Sequence, residues 1–182
     1  MERTSADMAA GLQLAGRALV VMGVSGAGKS TVAAALAAAR GGLCIDADDL
    51  HSAKAVDQMR RGRPLTDADR WPWLDRVGAS IARAAGEGHA VTVACSALRR
   101  TYRDRLRAAT AVPLWFVQLD VPRDQLLARL EVRVGHFMPA GLLDSQLEIL
   151  EPLAQDEPGI TVDAALPVER IVAVVAAHPH RQ

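Results

Sequence analysis

The sequence predicts an α/β fold in which a five-stranded parallel sheet lies between two layers of helices. Short apolar segments alternate with longer segments of high helix propensity along the 182 residues. The apolar segments are nearly unbroken, which is typical of parallel strands covered on both faces. Strands that alternate with helices favour this three-layer α/β/α arrangement. A chain of this length fits one domain with its own core.

The predicted elements follow in regular order, and glycines and prolines supply most of their boundaries. Strands are predicted at Ala18–Met22, Leu43–Ile45, Ala90–Ala94, Leu114–Leu119 and Ile160–Val162. Helices are predicted at Thr31–Arg40, from an Asp49 cap to about Arg61, at Trp71–Gly86, Leu98–Ala108, Pro122–Val132 and Pro167–Ala177, with a loop and a short helix over His136–Glu151. Gly62 ends the second helix, and Pro72 suits the first turn of the third.

Composition excludes several classes of function. Apolar residues form 50% of the chain and the formal net charge is zero, which argues against a general nucleic-acid binder or a binder of acidic membranes. Residues 1–16 are expected to be a flexible tail before a single domain over 17–182. They lack the basic start and apolar core of a signal peptide, so none is predicted. Cys44 and Cys95 lie in or beside strand segments, and we expect two reduced, buried thiols in a cytoplasmic protein.

The most informative stretch joins the first strand to the first helix. It reads Gly23-Val24-Ser25-Gly26-Ala27-Gly28-Lys29-Ser30 and matches the phosphate-binding pattern G-x-x-x-x-G-K-S in its required strand–loop–helix context. Glycines let successive N–H groups face one anion, and the helix N-terminus adds partial positive charge. A chance glycine turn is the alternative, but one of the chain's two lysines stands where the pattern needs it. The stretch predicts a P-loop NTPase-type fold that binds a nucleoside triphosphate.

Each residue type in this stretch has an expected role. Lys29 can reach the β- and γ-phosphates as a catalytic cation, and the Ser30 hydroxyl can ligate Mg²⁺. The nucleotide contacts are expected from Gly23, Ser25, Gly26, Ala27, Gly28, Lys29, Ser30 and Thr31.

Two acids follow the second predicted strand directly. Ligands of parallel sheets bind beyond the carboxyl ends of the strands, which is where Asp46 and Asp48 lie. Asp46 is expected to hold a water of the Mg²⁺ shell, and Asp48 to accept the proton of an attacking hydroxyl or to orient that hydroxyl. The alternative is simple helix capping, which Asp49 alone could satisfy.

Other polar residues of this edge have two interpretations each. Arg129 and Arg133 lie four residues apart on one helix face before a glycine-hinged loop, so they could close over the phosphates or form a solvated face. Arg129 is expected to bind nucleotide and Arg133 to act in catalysis. His51 is interpreted as a substrate contact and not as a base, and Arg70 as a substrate contact or a surface ion pair. Trp71 and Trp73 are expected to anchor a helix to the core.

Four further stretches resemble the small P-loop gluconate kinases, and the resemblance covers about Ala18 to Val175. The stretches are Asp46–His51, Gly62–Leu74, Ala94–Asp104 and Gly135–Pro139. The second and third are far more specific to this family than the phosphate loop.

The resemblance implies ATP-dependent phosphorylation of the 6-hydroxyl of D-gluconate, a nucleoside-monophosphate-kinase-like fold with a lid, and commonly a homodimer. It implies a substrate-binding helical segment at about 49–75 and a lid at about 133–146. Asp48 becomes the partner of the reacting hydroxyl. The substrate contacts implied are Asp48, His51, Arg70, Ser96, Arg103 and His136. An arginine suits a carboxylate substrate because its fork can bind both oxygens.

Two positions depart from the family pattern, so the identity of the sugar acid that is phosphorylated remains open. Ala55 stands where the family usually has Asn, and Gln58 where it usually has Lys. Another kinase of the same fold, acting on shikimate or a nucleoside monophosphate, is the nearest alternative. A binding regulator without turnover is a more distant one, because such a protein has less need of Lys29, Ser30 and Asp48.

Overall fold

The computed structural model of the chain describes residues 16–132 and 140–178. Five parallel strands form one sheet in the order β2-β3-β1-β4-β5. The strands are β1 Ala18–Met22, β2 Leu43–Asp46, β3 Val91–Ala94, β4 Leu114–Asp120 and β5 Gly159–Asp163. The α-helices of the described residues are α1 Lys29–Ala39, α2 Ala53–Arg60, α3 Asp67–Gly86, α4 Arg100–Ala108, α5 Arg123–Val132, α6 Ala140–Ile149 and α7 Val168–Ala177, with a 3-10 helix at Ala47–Leu50. The predicted fold class is confirmed.

Strand β1 occupies the centre of the sheet and is buried along its whole length. Val20 lies beside Val93 of β3 on one side and Phe116 of β4 on the other. Parallel strands in this position need apolar side chains on both faces, which explains the unbroken run from Ala18 to Met22. The loop after β1 therefore starts from the most enclosed strand of the sheet.

The alternating side chains of β1 serve two separate cores. Leu19 and Val21 pack on one face of the sheet with apolar side chains of α1, α5, α6 and α7. Val20 and Met22 pack on the other face with side chains of α3 and α4. Each large aliphatic side chain buried in this way stabilises the fold by about 1.5–3 kcal/mol. The two cores fix the helices on both faces and hold the carboxyl edge of the sheet in place.

Helix α3 begins earlier than its sequence predicts. It starts at Asp67 and not at Trp71, because Thr66 and Asp69 form a reciprocal capping box. The Asp69 amide donates to the Thr66 hydroxyl at 3.3 Å, and the Thr66 amide donates to the Asp69 carboxylate at 3.0 Å. Pro72 consequently lies in the second turn and not in the first.

The segment after β2 also differs from its prediction. A helix capped by Asp49 is wrong: the 3-10 helix Ala47–Leu50 comes first, and Ser52 then caps α2 by accepting from the Ala55 amide at 3.2 Å. Asp46 caps the 3-10 helix instead. The prediction of two buried thiols is half wrong, because β2 is an edge strand and leaves Cys44 exposed, whereas Cys95 is buried.

Some predictions lie outside the described residues. They include the tail, apart from Gly16, and residues 133–139, which contain the start of the predicted lid and of the loop predicted from His136. The short helix predicted after that loop is α6. In the part of the chain that is described, no helix combines the length and apolar character needed to cross a membrane.

Candidate active site

The phosphate loop combines left-handed glycines with an open helix terminus. Gly23 has φ 141° and Gly28 has φ 95°, conformations that side chains rarely adopt. Gly28 is the N-cap of α1, no described side chain caps this terminus, and no acid stands in the first turn. The first N–H groups of the helix are thus available to an anion. The Gly23 amide donates to the Ser96 carbonyl at 3.2 Å, which braces the loop against the segment after β3.

Three side chains contact the loop backbone: Lys29 from the loop's own end, and Gln146 and Arg129 from distant helices. The Lys29 ammonium donates to the Val24 carbonyl at 3.0 Å, so its charge lies across the loop. The Ser25 amide donates to Oε1 of Gln146, a residue of α6, at 2.7 Å. Arg129 of α5 donates to the Ala27 carbonyl at 3.4 Å and to the Ala164 carbonyl at 2.7 Å. Arg129 therefore lies beside the loop, where the sequence places it, and Gln146 is a loop contact that the sequence analysis missed.

The predicted metal ligands, Ser30 in the first turn of α1 and Asp46 at the end of β2, lie next to each other. The predicted proton acceptor, Asp48, lies beside them. The Ser30 hydroxyl donates to Asp46 Oδ2 at 2.7 Å, and the Asp48 amide donates to Asp46 Oδ1 at 3.0 Å. The Asp48 side chain itself is 73% exposed. Mg²⁺ in phosphoryl-transfer sites commonly takes one or two protein oxygens together with phosphate and water. Ser30 and Asp46 offer such a pair, and Asp48 presents a free-standing carboxylate beside it.

Cys95 lies beneath this group of charges. Burial raises the pKa of its thiol to about 12, and the carboxylates of Asp48 and Asp46 act in the same direction, whereas Lys29 opposes them. The thiol is therefore neutral at physiological pH. Asp46, Asp48 and Lys29 all affect the pKa of this one thiol, because the ends of the strands bring them close to it and to one another.

His51 is buried against an aromatic ring next to Asp48. Its imidazole stacks on Trp73 with 4.3 Å between ring centroids, and Nε2 lies 3.9 Å from Asp48 Oδ1. Burial lowers the pKa of His51, and the neighbouring Asp48 opposes this only in part, so the ring is neutral at pH 7. Among the described residues its buried Nδ1 has no hydrogen-bond partner. Trp73 donates to the Ala47 carbonyl at 2.7 Å and anchors α3 to the core, as predicted.

Arg70 belongs to a polar cluster that joins the starts of α3 and α4. It donates to the Tyr102 hydroxyl at 3.1 Å and lies 3.6 Å from Asp67, to which that hydroxyl also donates. Arg99 lies 3.1 Å from the same carboxylate. Two guanidinium groups share one carboxylate, which leaves excess positive charge. The charge of Arg70 also contributes to the lowered pKa of His51, so the two side chains lie within electrostatic range.

Three members of this cluster were not among the predicted site residues. Asp67 and Arg70 have the (i, i+3) spacing of a helical pair, and the ion pair between them matches the alternative predicted for Arg70. Tyr102 is the chain's single tyrosine and stands in a stretch that resembles the gluconate kinases. Its position was a usable signal, whereas nothing in the sequence joins Arg99 to Asp67.

Arg103 has a structural role instead of the predicted contact with substrate. Its side chain is 1% exposed and pairs with Glu157 through two hydrogen bonds, of 2.6 and 2.7 Å. It also donates to the Ala97 carbonyl at 3.2 Å, and Ala97 has a left-handed φ of 43°. The donors of Arg103 therefore face the protein interior and hold the loop that carries Ser96. A substrate contact does not fit this geometry.

The remaining predicted residues divide into two groups. Thr31 is exposed in the first turn of α1, and Ser96 is half-buried with its carbonyl on the phosphate loop. Arg133 and His136 lie outside the described residues.

Comparisons with known proteins agree with this architecture. A family described as an AAA domain matches residues 19–153. The gluconokinase of Gluconobacter oxydans (strain 621H) is 48% identical over 146 residues, covering 80% of this chain and 82% of that protein. The thermosensitive gluconokinase of Escherichia coli (strain K12) is 40% identical over 151 residues, covering 82% of this chain and 80% of the relative.

A solved structure supports the same assignment. The crystal structure of a gluconokinase from Sinorhizobium meliloti 1021 superposes with a TM-score of 0.78 at 44% identity, covering 88% of this chain and 90% of that chain. Identity at this level covers most of both chains. The chain belongs to the gluconokinase family of P-loop kinases.

Proposed function

We propose that the protein is a gluconokinase that transfers the γ-phosphoryl group of ATP to the 6-hydroxyl of D-gluconate, giving 6-phospho-D-gluconate and ADP. The observation that carries this proposal is the arrangement of Ser30, Asp46 and Asp48 beside the uncapped N-terminus of α1. This arrangement provides a phosphate site, a metal site and an exposed carboxylate at one edge of the sheet. The names of its relatives supply the substrate.

The phosphate side of the reaction falls to the loop. Amides of Gly26 to Ser30 hold the phosphates, and the Lys29 ammonium neutralises charge that develops on the transferred group. Ser30 and Asp46 would hold Mg²⁺, directly or through water. When bound, this ion would neutralise phosphate charge and orient the γ-phosphoryl group.

Asp48 handles the proton of the acceptor. The 6-hydroxyl oxygen attacks the γ-phosphorus, the bond from that phosphorus to the β,γ-bridging oxygen breaks, and the hydroxyl proton passes to Asp48. The side chain suits this role because it is exposed toward solvent and its neighbours His51 and Asp46 leave its carboxylate accessible. A carboxylate buried in an ion pair would be a much poorer proton acceptor.

The substrate side falls to the segment at about 49–75 and the loop after β3. Arg70 is the residue we assign to the gluconate carboxylate, because it carries the excess charge of the cluster with Asp67, Arg99 and Tyr102. His51 and Ser96 are assigned to the hydroxyl groups, with His136. Residues 133–146 are proposed as the lid, with Arg133 acting on the transferred phosphoryl group together with Arg129.

The first experiment measures the product directly. The protein is incubated with MgATP and D-gluconate, and mass spectrometry with phosphorus–proton NMR identifies the phosphorylated carbon. We expect phosphate on carbon 6. Shikimate, nucleoside monophosphates and D-glucose serve as matched acceptors, and D-glucose lacks the carboxylate assigned to Arg70. Turnover of shikimate or a nucleotide without turnover of gluconate would reject the proposal.

Assembly and location are further parts of this proposal. A homodimer is expected from the family resemblance, and sedimentation velocity measures it. The cytoplasm is the expected compartment because the reaction consumes ATP, and fractionation of cells that produce the protein tests this.

A further inference from the structure

One peptide of the phosphate loop is held from both sides. The Val24 carbonyl accepts from the Lys29 ammonium at 3.0 Å and from the Ala27 amide at 3.3 Å. The Ser25 amide of the same peptide donates to Gln146 Oε1 at 2.7 Å. The C=O and N–H groups of a trans peptide point in opposite directions. Lys29 and Gln146 therefore lie on opposite sides of this peptide. Together with the Ala27 amide on the carbonyl side, they fix its rotation.

The helix that carries Gln146 is far from the loop in sequence. Gln146 and Ser25 are separated by 121 residues, and α6 follows directly on residues 133–139. On the other side of those residues, α5 contacts the same loop through Arg129 and the Ala27 carbonyl. The phosphate loop is thus contacted by α5, which precedes the segment assigned as a lid, and by α6, which forms the later part of that segment.

The orientation of this peptide determines where the Lys29 ammonium is held. If the Ser25 amide lost its acceptor, the peptide could rotate toward another acceptor, such as a nucleotide phosphate. The same rotation would turn the Val24 carbonyl away from Lys29. The ammonium would then lose a fixed partner, and its position relative to a transferred phosphoryl group would become less defined. Small displacements of a charged group lower the rate of reactions that depend on its preorganised position.

We propose that Gln146 is a positioning residue for phosphoryl transfer: it fixes the Val24–Ser25 peptide so that the Val24 carbonyl holds the Lys29 ammonium. The role in transfer rests on the proposed kinase function, whereas the contact itself does not. Gln146 acts through Lys29 and touches no reacting atom. Its position on α6 also makes the conformation of the loop dependent on the placement of that helix.

The test compares Gln146→Ala with Glu148→Gln, a change to an exposed residue of the same helix. We expect Gln146→Ala to lower kcat about tenfold, the equivalent of about 1.4 kcal/mol in the barrier. The KM for gluconate should stay within twofold, and Glu148→Gln should leave both constants unchanged. In proton–nitrogen NMR spectra of the protein without nucleotide, the Ser25 amide should shift in Gln146→Ala and not in Glu148→Gln.

A conservative variant separates positioning from general structural support. Gln146→Glu keeps an acceptor for the Ser25 amide but adds negative charge beside the phosphates. We expect its kcat at saturating ATP to stay within threefold of the unmodified enzyme, while its KM for ATP rises several-fold.

Three results for Gln146→Ala would overturn the inference: an unshifted Ser25 amide signal, an unchanged kcat, or tighter ATP binding measured by calorimetry. Tighter binding would mean that Gln146 competes with the nucleotide for the Ser25 amide. If the unmodified protein fails to phosphorylate gluconate, the proposed function fails. The NMR and calorimetry measurements still test the contact in that case.

Discussion

The carboxylates of Asp46 and Asp48, beside the phosphate loop, differ from that of Glu157 in exposure and in the charge of their hydrogen-bond donors. Asp46 accepts from a hydroxyl and an amide, and Asp48 beside it is largely exposed. Glu157 is 1% exposed at its side chain and accepts from the guanidinium groups of Arg103 and Arg107. The first group has neutral donors and access to solvent, whereas the second is surrounded by cations and protein.

This difference teaches which acids can react. A carboxylate already neutralised by two guanidinium groups gains little from a metal ion or a proton, so Glu157 serves the fold. It fixes Arg103, which supports the left-handed Ala97 and the loop that carries Ser96. A carboxylate held by weak neutral donors can exchange them for Mg²⁺ or a proton. The effects expected at Asp48 and Glu157 test this division, whereas the smaller effects expected at Tyr102 and Thr66 test the support of Arg70 and of α3.

The largest effect is expected at Asp48. Asp48→Asn removes the proton acceptor, so kcat should fall by about 100- to 10,000-fold. ATP affinity measured by calorimetry and the Tm should change little, because the side chain is exposed. Asp49→Asn, at the neighbouring exposed position, is the matched control. An Asp48→Asn variant that turns over at the unmodified rate would remove Asp48 from the mechanism.

The second effect concerns Glu157 and pH. Burial favours the protonated acid, but hydrogen bonds from Arg103 and Arg107 outweigh it and lower the pKa of Glu157 from 4.5 to about 2. Because the folded-state pKa is depressed, the stabilisation is fully present above pH 4.5 and is lost as pH falls toward about 2. Its size is about 3 kcal/mol.

Urea unfolding over this pH range measures the loss. The unmodified chain should lose about 3 kcal/mol more of unfolding free energy than Glu157→Gln, which cannot titrate at this position. Glu169→Gln, at an exposed position of α7, should behave like the unmodified chain. Parallel pH profiles for Glu157→Gln and the unmodified chain would contradict a stabilising ion pair.

A smaller effect is expected in the cluster that orients Arg70. Tyr102→Phe removes the hydroxyl that contacts Arg70 and Asp67 but keeps the ring that packs against Trp71. Loss of these two hydrogen bonds leaves Arg70 less firmly oriented, and the KM for gluconate should rise about 3- to 10-fold. The KM for ATP should stay constant, and steady-state kinetics with each substrate varied in turn measures both. Equal changes in both constants would argue against a role confined to the substrate.

The smallest effect is expected at the capping box of α3. Thr66→Ala removes the cap and should cost about 1 kcal/mol, which lowers the Tm by about 2–4 °C. Thr66→Ser retains the hydroxyl and should keep most of the stability. Calorimetric unfolding of the two variants provides the comparison. A larger loss for Thr66→Ser than for Thr66→Ala would be inconsistent with capping.

Local patterns predicted much of the fold and part of the site. The apolar runs located all five strands to within about two residues, since buried parallel strands need continuous apolar sequence. The phosphate loop and the pair Asp46 and Asp48 were predictable because parallel strands deliver their carboxyl ends to one edge. The α3 boundary was missed because proline suits several positions early in a helix, and the Thr66–Asp69 box fixed the true start.

Long-range side-chain contacts could not be predicted. Arg103 and Glu157 are separated by 54 residues, and no local pattern joins them. Without its partner in view, Arg103 looked like an available cation in a specific motif. Gln146 escaped notice for the same reason, since only the packing of α6 brings it to Ser25.

The placement of the two cysteines gives the chain two chemically distinct reporters. Cys44 is exposed on the edge strand, whereas Cys95 is sealed beneath the active-site edge with a pKa of about 12. A thiol-directed fluorophore can therefore be attached at Cys44 without mutagenesis, two residues before Asp46. Modification of Cys95 requires the surrounding structure to open. The rate at which Cys95 is labelled, after Cys44 has reacted, therefore measures how often the native structure opens.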